Sequence, residues 1–568
     1  MQLEAMDGNN KRARWMVGAA LTAVVVTTVL ILGGRNGGGA PATARVWAAV
    51  ASFRQVSCES VTGSIDLSSS PPAAARHDDR LYNGLLTDSF DEESCHSRYQ
   101  SAMYRGNPGR RPSAYLISKL RRHEALQRRC GPGTAAYSNA LEQLRAGSMS
   151  TIAPPECAYI VSISYSGLGN RILAAASAFL YAVLTDRVLL VDPSNDMDDL
   201  FCEPFPGTTW LLPPGFPVAN YTGFGVDTAE SYGNMVRNKV VVESGGVADA
   251  ASTAGRRLPL PAFAYVHLHN DATVEDNYFF CDGDQRLLRR VQWLAVRTDS
   301  YIVPGLFLVQ AFQGELDRMF PERDAVFHHL GRYLFHPSNH VWGLVTRYYD
   351  AYLATAQQRV GIQVRVFGAQ PNSPELLEQI TSCTQKQKLL PELRLATGEP
   401  TPPPVPASRA RARSKAVLVT SLKSWYYEKL KSMYWEHAAA TGEAVSVHQP
   451  SHEEYQRSGA RSHEHKAWAE MYLLSLTDVL VTTGVSTFGY VAQGLAGVRP
   501  WVLYKSTNSS AVPDPPCGWD VSMEPCFHKP PSYDCRLKQW TADISKDVPY
   551  IQHCHDLTWG LKLVGRNK

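Results

Sequence analysis

The chain has 568 residues, 44% of them hydrophobic and 19% charged, with a formal net charge of +3. That balance suits a globular protein of two or more domains with sizeable cores and excludes a mainly disordered chain. So small a charge on this length, with no RNA- or DNA-binding module signature, also excludes nucleic acid as the expected partner.

Residues 15–32 form a run of 18 without a charge, preceded by Lys11, Arg12 and Arg14 and followed only by Arg35 and Arg45. The run reaches the lower end of the roughly 17 to 25 residues that a helical span needs, and its basic flank assigns residues 1–14 to the cytosol. A cleaved signal peptide is the competing reading, but the run exceeds the about 7 to 15 residues of a signal h-region. Glycine, proline and serine mark residues 33–79 as a flexible stem. The expected layout is a single-pass type II anchor in the Golgi membrane with the folded part in the lumen. The eleven cysteines agree with an oxidising lumen: none forms a C-x-x-C pair, and their scatter suits disulfides better than zinc. If Cys58 lies in the stem, ten remain, an even number that permits full pairing. Asn220 and Asn508 are N-x-S/T acceptors for glycosylation.

In chain order, the patterns around residues 115–120 and 135–144 predict two helices. A βαβ unit follows. Residues 159–164 read as a strand, Ile172, Leu173, Ala176, Phe179, Leu180, Val183 and Leu184 recur at helical spacing, and residues 188–191 read as a second strand. The turn Ser166-Gly167-Leu168-Gly169-Asn170-Arg171 between strand and helix could offer N–H groups to an anion. It lacks the third glycine of a dinucleotide fingerprint and the Lys-Ser/Thr pair of a phosphate loop, so a purely structural turn accounts for it equally well. Residues 197–217 are expected to be mostly surface connection. A strand over 264–269, a helix over 285–294, and helices around 321–329 and 340–358 complete an N-terminal Rossmann-like domain, residues 80–358. The C-terminal one, residues 359–568, alternates strands at 361–367, 416–420, 444–448, 479–482 and 500–504 with helices at 374–390, 424–440, 464–476 and 490–496. This rhythm predicts a second doubly wound parallel sheet, interrupted by a disordered Pro/Arg insertion at 393–415. Two such α/β units leave a cleft between them.

Four places could carry chemistry. Arg365 stands near a strand end, opposite in face to Ile362, Val364 and Val366, where parallel strands are normally apolar. A diphosphate would satisfy it through bidentate bonds; a core carboxylate would do so equally well. Ser486 and Thr487 open a helix and either cap it or help hold phosphate. Asp299, at a strand end, could take a proton from an acceptor hydroxyl, though locally a turn-capping role is the better account. His267 and His269 would share a strand face with no third ligand indicated, and His463-Glu464-His465 does not match H-E-x-x-H, so no metal is expected.

The segments GLGNRILAAASAFLYAVLTDRVLLVD, SKAVLVTSL, VGIQVRVF and GVSTFGYVAQGLAGVRPWVLY resemble the plant xyloglucan fucosyltransferase family, from about Leu81 to the C-terminus. The resemblance implies a variant of the two-Rossmann GT-B glycosyltransferase fold. It implies transfer of L-fucose from GDP-fucose, with inversion and without a metal cofactor, to the 2-hydroxyl of a galactosyl residue on a cell-wall glycan. Xyloglucan is the expected acceptor; arabinogalactan-protein glycans are the alternative. A catalytically silent glycan-binding or scaffold subunit is the alternative of another class, and the partners implied extend to a homodimer or a complex with other Golgi glycosyltransferases. By the same resemblance, Arg365 neutralises the GDP diphosphate, Ser486, Thr487, Phe488 and Tyr490 form the donor-site loop, Gly169, Asn170 and Arg171 form the glycine turn at the cleft, and Asp299 is the candidate base.

Overall fold

The computed structural model describes residues 80–106, 109–147, 155–194, 197–241, 261–367, 371–394, 413–457, 459–504, 511–531, 533–535, 539–540 and 548–565. The expected cytosolic tail, anchor and stem, Asn508, and residues 395–412 of the expected insertion lie outside them.

Two capped helices lead in. In α1 (Ala114–Cys130) the Ser113 hydroxyl accepts from the Leu116 N–H, and in α2 (Ala135–Arg145) Thr134 accepts from Tyr137, each satisfying an amide that the helix start leaves unpaired. Strand β1 (Ala158–Ile163) is buried along its whole length and feeds α3 (Leu168–Thr185), which ends on Asp186 in the left-handed conformation before β2 (Arg187–Val191). Among the described residues α3 is the helix long and apolar enough to span a membrane, but 89% of it is buried inside the fold, as a core helix between layers requires.

The segment expected to be surface connection is not. Met197 and Leu200 of the short helix α4 (Met197–Leu200) are buried, as are Phe201, Phe205 and Trp210. Burying that aromatic surface outweighs the turn-like composition around it. Beyond β3 (Phe263–His267), helix α5 (Asp282–Leu288) stops short of the expected 294, because Trp293 and Leu294 open β4 (Trp293–Arg297). There Trp293 stacks on Tyr159 of β1, with ring centroids 4.0 Å apart. Helices α6 (Val326–Leu334) and α7 (Asn339–Tyr348) follow, with a π-helical turn at Tyr349–Leu353 in place of one helix to residue 358. The four strands run parallel in the order β2-β1-β4-β3.

The second sheet begins with β5 (Gln358–Gln363), which ends earlier than the expected 367 and leaves Arg365 on the loop beyond it. Alternation continues through α8 (Pro374–Lys386), β6 (Ser414–Thr420), α9 (Ser424–Glu436), β7 (Ala444–His448), α10 (Arg461–Leu474), β8 (Val479–Thr483), α11 (Thr487–Ala496) and β9 (Trp501–Leu503). The order is β10-β9-β8-β5-β6-β7, parallel except for the edge strand β10 (Cys517–Trp519), which is antiparallel to β9. The insertion is narrower than expected: Leu393 bridges to Ala439, and Ser414 and Lys415 belong to β6.

One apolar cluster runs from Ile172 and Phe179 of α3 through α6 and α7 into Trp468 of α10 and Val491 of α11, so helices of both sheets share a core. The chain's last stretch also returns to the first sheet's side. Glu524 accepts from the Tyr301 hydroxyl at 2.7 Å and from the Phe327 N–H at 2.7 Å. Five disulfides, Cys95–Cys202, Cys130–Cys157, Cys281–Cys535, Cys383–Cys517 and Cys526–Cys554, pair the ten cysteines expected to be available.

Candidate active site

A cleft of about 940 Å³ opens where the carboxyl edge of the second sheet faces the start of α3. Its wall includes Gly167 to Asn170, Gln363 to Phe367, Thr420 to Lys423, the loop around Glu453 to Gln456, and Val485 to Phe488. This is the place where open parallel sheets bind ligands.

Two helix starts meet here. The Thr487 hydroxyl at the head of α11 donates to Asn170 Oδ1 in the first turn of α3 at 3.0 Å. The contact requires a glycine: a Cβ on Gly169 would stand 2.8 Å from the Thr487 carbonyl carbon and 2.9 Å from its oxygen. Each helix start carries unpaired N–H groups and the positive end of a dipole, so the pair of them favours an anion. Gly169→Ala is therefore expected to cost about 1–3 kcal/mol of stability and to weaken nucleotide binding, measurable by thermal denaturation and by calorimetric titration with GDP.

Arg365 lines the same cleft. Its backbone N–H donates to Thr483 Oγ1 at 3.1 Å, and that hydroxyl donates to the Gln363 carbonyl at 3.1 Å, which fixes the chain just past β5. The guanidinium donates to Gln456 Oε1 at 3.2 Å. Among the described residues no carboxylate pairs with it, and burial holds its pKa below the ordinary value. The core-carboxylate account of Arg365 thus fails, and a cation is left facing the cleft with donors to spare.

The other residues named from sequence separate into two groups. Gly169, Asn170, Ser486, Thr487 and Phe488 line the cleft with Arg365. Arg171, Tyr490 and Asp299 do not. Arg171 is 3% exposed and donates to Glu464 of α10 at 2.7 Å, so this member of the expected glycine turn is held in a buried ion pair and does not line the cleft. Tyr490 gives its hydroxyl proton to Asp556, and burial together with that carboxylate holds its pKa well above the usual tyrosine value.

Asp299 sits behind the glycine turn. Its oxygens accept from Ser164 at 2.5 Å and Ser166 at 2.6 Å, and its carbonyl accepts from Asn170 Nδ2 at 2.8 Å. Burial raises its pKa, but the two serine hydroxyls and the neighbouring His269, 2.9 Å away, outweigh burial and leave it below the ordinary carboxylate value.

Several cleft residues were invisible to sequence reasoning. Val485 adopts φ +60°, a left-handed conformation that a β-branched side chain enters only under constraint. Asp556, 71 positions away, supplies the constraint by accepting its N–H at 2.7 Å. Glu470 accepts from the Ser451 N–H at 3.0 Å, and burial pushes its pKa up to about 7. His528 also lines the wall, with its pKa lowered chiefly by burial. Val485 stands in a segment that carries the family resemblance, but its strain does not show there; Asp556, Glu470 and His528 stand in none of those segments, and only the spacing in three dimensions reveals them.

The histidines of H-E-H on α10 are engaged apart, His463 with Glu453 at 3.1 Å and His465 with Asp199 at 2.9 Å. His267 and His269, by contrast, acquire the third donor that the sequence did not indicate. Asp271 Oδ1 lies 2.8 Å from His267 Nε2 and 3.1 Å from His269 Nδ1.

An α/β fold with two largely parallel sheets, and a cleft lined by two helix starts and an arginine with no carboxylate partner among the described residues, fits a protein that holds a phosphorylated ligand. Comparison with known proteins narrows the class. Residues 53–536 match the xyloglucan fucosyltransferase family, and the chain belongs to that family. It is 53% identical over 488 residues to the galactoside 2-alpha-L-fucosyltransferase of Arabidopsis thaliana, covering 86% of this chain and 83% of that one. It is 50% identical over 492 residues to the enzyme of the same name from Pisum sativum, covering 86% and 82%. A solved structure of an Arabidopsis thaliana FUT1 mutant in complex with GDP is similar, with a TM-score of 0.76 and 52% identity over 86% of this chain and all of that one.

Proposed function

We propose that this protein is an inverting galactoside 2-alpha-L-fucosyltransferase that uses GDP-fucose and acts on xyloglucan from the Golgi lumen. The observation that carries the reading is Arg365, a cation without a carboxylate partner among the described residues, lining one cleft of nucleotide-sugar size with the heads of α3 and α11. The acceptor 2-hydroxyl oxygen bonds to the anomeric carbon as the bond from that carbon to the diphosphate oxygen breaks. The bonding pair leaves on GDP, the hydroxyl proton passes to water, and the configuration inverts. Arg365 and the N–H groups opening α11 stabilise the charge that develops on the diphosphate, so the leaving step needs no metal ion. Gly169, Asn170, Ser486, Thr487 and Phe488 shape the donor pocket, and Tyr490 with Asp556 holds its strained turn. In this reading the part to residue 358 is the acceptor side and the part from 359 binds GDP-fucose.

Asp299 contributes by position in this reading. Its oxygens are already taken by Ser164 and Ser166, and a depressed pKa makes it a weak base. Asp299→Ala is expected to lower kcat by less than the about 10²-fold that losing a general base costs, with both limbs of the pH–rate profile intact. Loss of the acid limb would assign Asp299 as the base.

The purified chain is expected to transfer fucose from GDP-fucose to galactosylated xyloglucan oligosaccharides. An acceptor panel that includes arabinogalactan-protein glycans tests the acceptor. Donor hydrolysis without transfer to any galactoside, or glycan binding without turnover, overturns the reading.

A further inference from the structure

His267 closes β3, and His269, Asp271 and Asp299 follow at the carboxyl edge of the first sheet. Hydrogen-bond accounting at this cluster leaves a specific gap. The Tyr265 hydroxyl has one proton, and it points to the Phe224 carbonyl at 3.1 Å, which can only accept. With that proton on the Phe224 carbonyl, which also accepts from Arg297 at 3.3 Å, Tyr265 accepts from His267 Nδ1, 2.8 Å away, and His267 carries its proton on Nδ1. His267 Nε2 then presents a lone pair to Asp271 Oδ1 at 2.8 Å.

His269 repeats the arrangement. Its Nε2 lies 2.9 Å from Asp299 Oδ2, an oxygen that already accepts from Ser166, so Nε2 is the donor there. Its Nδ1 lone pair faces the same Asp271 Oδ1 at 3.1 Å. Three electron-rich atoms thus converge, all within 4.8 Å of one another, and they repel unless positive charge lies among them. Protonation would also supply it, by making an imidazole cationic, most readily His269, whose two nitrogens both face carboxylates. A single divalent cation supplies the same charge and leaves both imidazoles neutral.

We propose that His267 Nε2, His269 Nδ1 and Asp271 Oδ1 form a zinc site. Two imidazole nitrogens and one carboxylate oxygen are a zinc donor set, and tetrahedral donors at zinc bond lengths stand about 3.4 Å apart, a small opening from the 2.8 and 3.1 Å at which Asp271 Oδ1 meets the two nitrogens. Each ligating imidazole gives its other N–H to an acceptor, Tyr265 for His267 and Asp299 for His269, which is the outer-sphere pattern that fixes metal-binding histidines. Asp271 has 68% of its side chain exposed, so the fourth position faces water and the ion has a way in. The other cluster of this kind among the described residues, Cys526, Cys554 and Asp556, has both sulfurs in a disulfide. None of the three zinc ligands lines the cleft, so the ion holds the loop after β3, and through His269 the carboxylate of Asp299, and takes no part at the diphosphate.

The full chain, stripped of metal and titrated with Zn²⁺ against a chromophoric chelator, is expected to bind one ion per chain. Asp271→Asn, at an exposed position that leaves the fold intact, and His269→Ala are each expected to weaken that binding at least about tenfold, and Tyr265→Phe by about tenfold through the outer sphere. Co²⁺ in place of Zn²⁺ should give the visible absorption of a four-coordinate ion in the wild type and lose it in His269→Ala. Absence of saturable binding, or an affinity that Asp271→Asn and His269→Ala leave unchanged, overturns the proposal.

Discussion

Arg365→Lys is expected to lower kcat/KM for GDP-fucose by about 10² to 10³-fold, the range for removing a preorganised donor from a developing anion, while the thermal transition stays near that of the wild type. The guanidinium reaches the cleft from a loop whose backbone Thr483 fixes, so its position does not depend on its charge. Lysine keeps the charge but replaces a planar fork of five donors by a flexible point charge, and it cannot bridge two phosphate oxygens in a fixed plane. Calorimetry with GDP separates the contributions: weaker GDP binding together with lower kcat places Arg365 on the leaving diphosphate. GDP affinity equal to the wild type in the lysine variant would count against the assignment.

Arg171→Met is expected to destabilise the fold by about 3–5 kcal/mol, because it leaves Glu464 as a buried carboxylate without its ion-pair partner. Both side chains are almost fully buried, so solvent screening does little to soften the loss. The double variant Arg171→Met with Glu464→Leu removes both charges and fills the space with apolar atoms, and it is expected to recover most of that stability. Chemical denaturation of the three proteins measures the cycle. Donor kinetics on the same set test whether Arg171 also serves the donor site. If activity returns with stability in the double variant, the arginine joins α3 to α10 and does not hold the nucleotide.

Much of the fold was legible because it rests on periodicity. The βαβ unit from β1 to β2 reads directly from apolar runs and helical spacing, and β7 appears at its expected bounds. Errors fell where local composition and tertiary burial disagree. Residues 197–217 look like a loop, yet their aromatic side chains fill the core, and the apolar run through Trp293 continues a helix on paper while in space it pairs with β1. At the site, the arginine and the Ser-Thr helix start were visible, because a buried cation and a helix head are chemically conspicuous in an apolar pattern. Asp556, Glu470 and Asp271 were not, because what makes them matter is a contact: the strained Val485 amide, the burial beside Ser451, the two imidazoles. Arg171 shows the converse limit, since a motif fixes which residue is present and not which way its side chain turns.

The return of the final segment to the first sheet bears on how the chain acquires its structure during synthesis. Glu524 meets Tyr301 and Phe327, Cys535 bonds Cys281, and Ile551 and Leu563 belong to the same apolar cluster as α3. The amino-terminal half therefore emerges from the ribosome with part of its hydrophobic surface still uncovered, although domains commonly fold in order as they appear. Its completion must wait for those residues; between Cys281 and Cys535 the separation is 254 residues, a delay of about 13 to 50 seconds at ordinary elongation rates. During that interval it is a natural client for chaperones, and cysteines awaiting distant partners are open to wrong pairings.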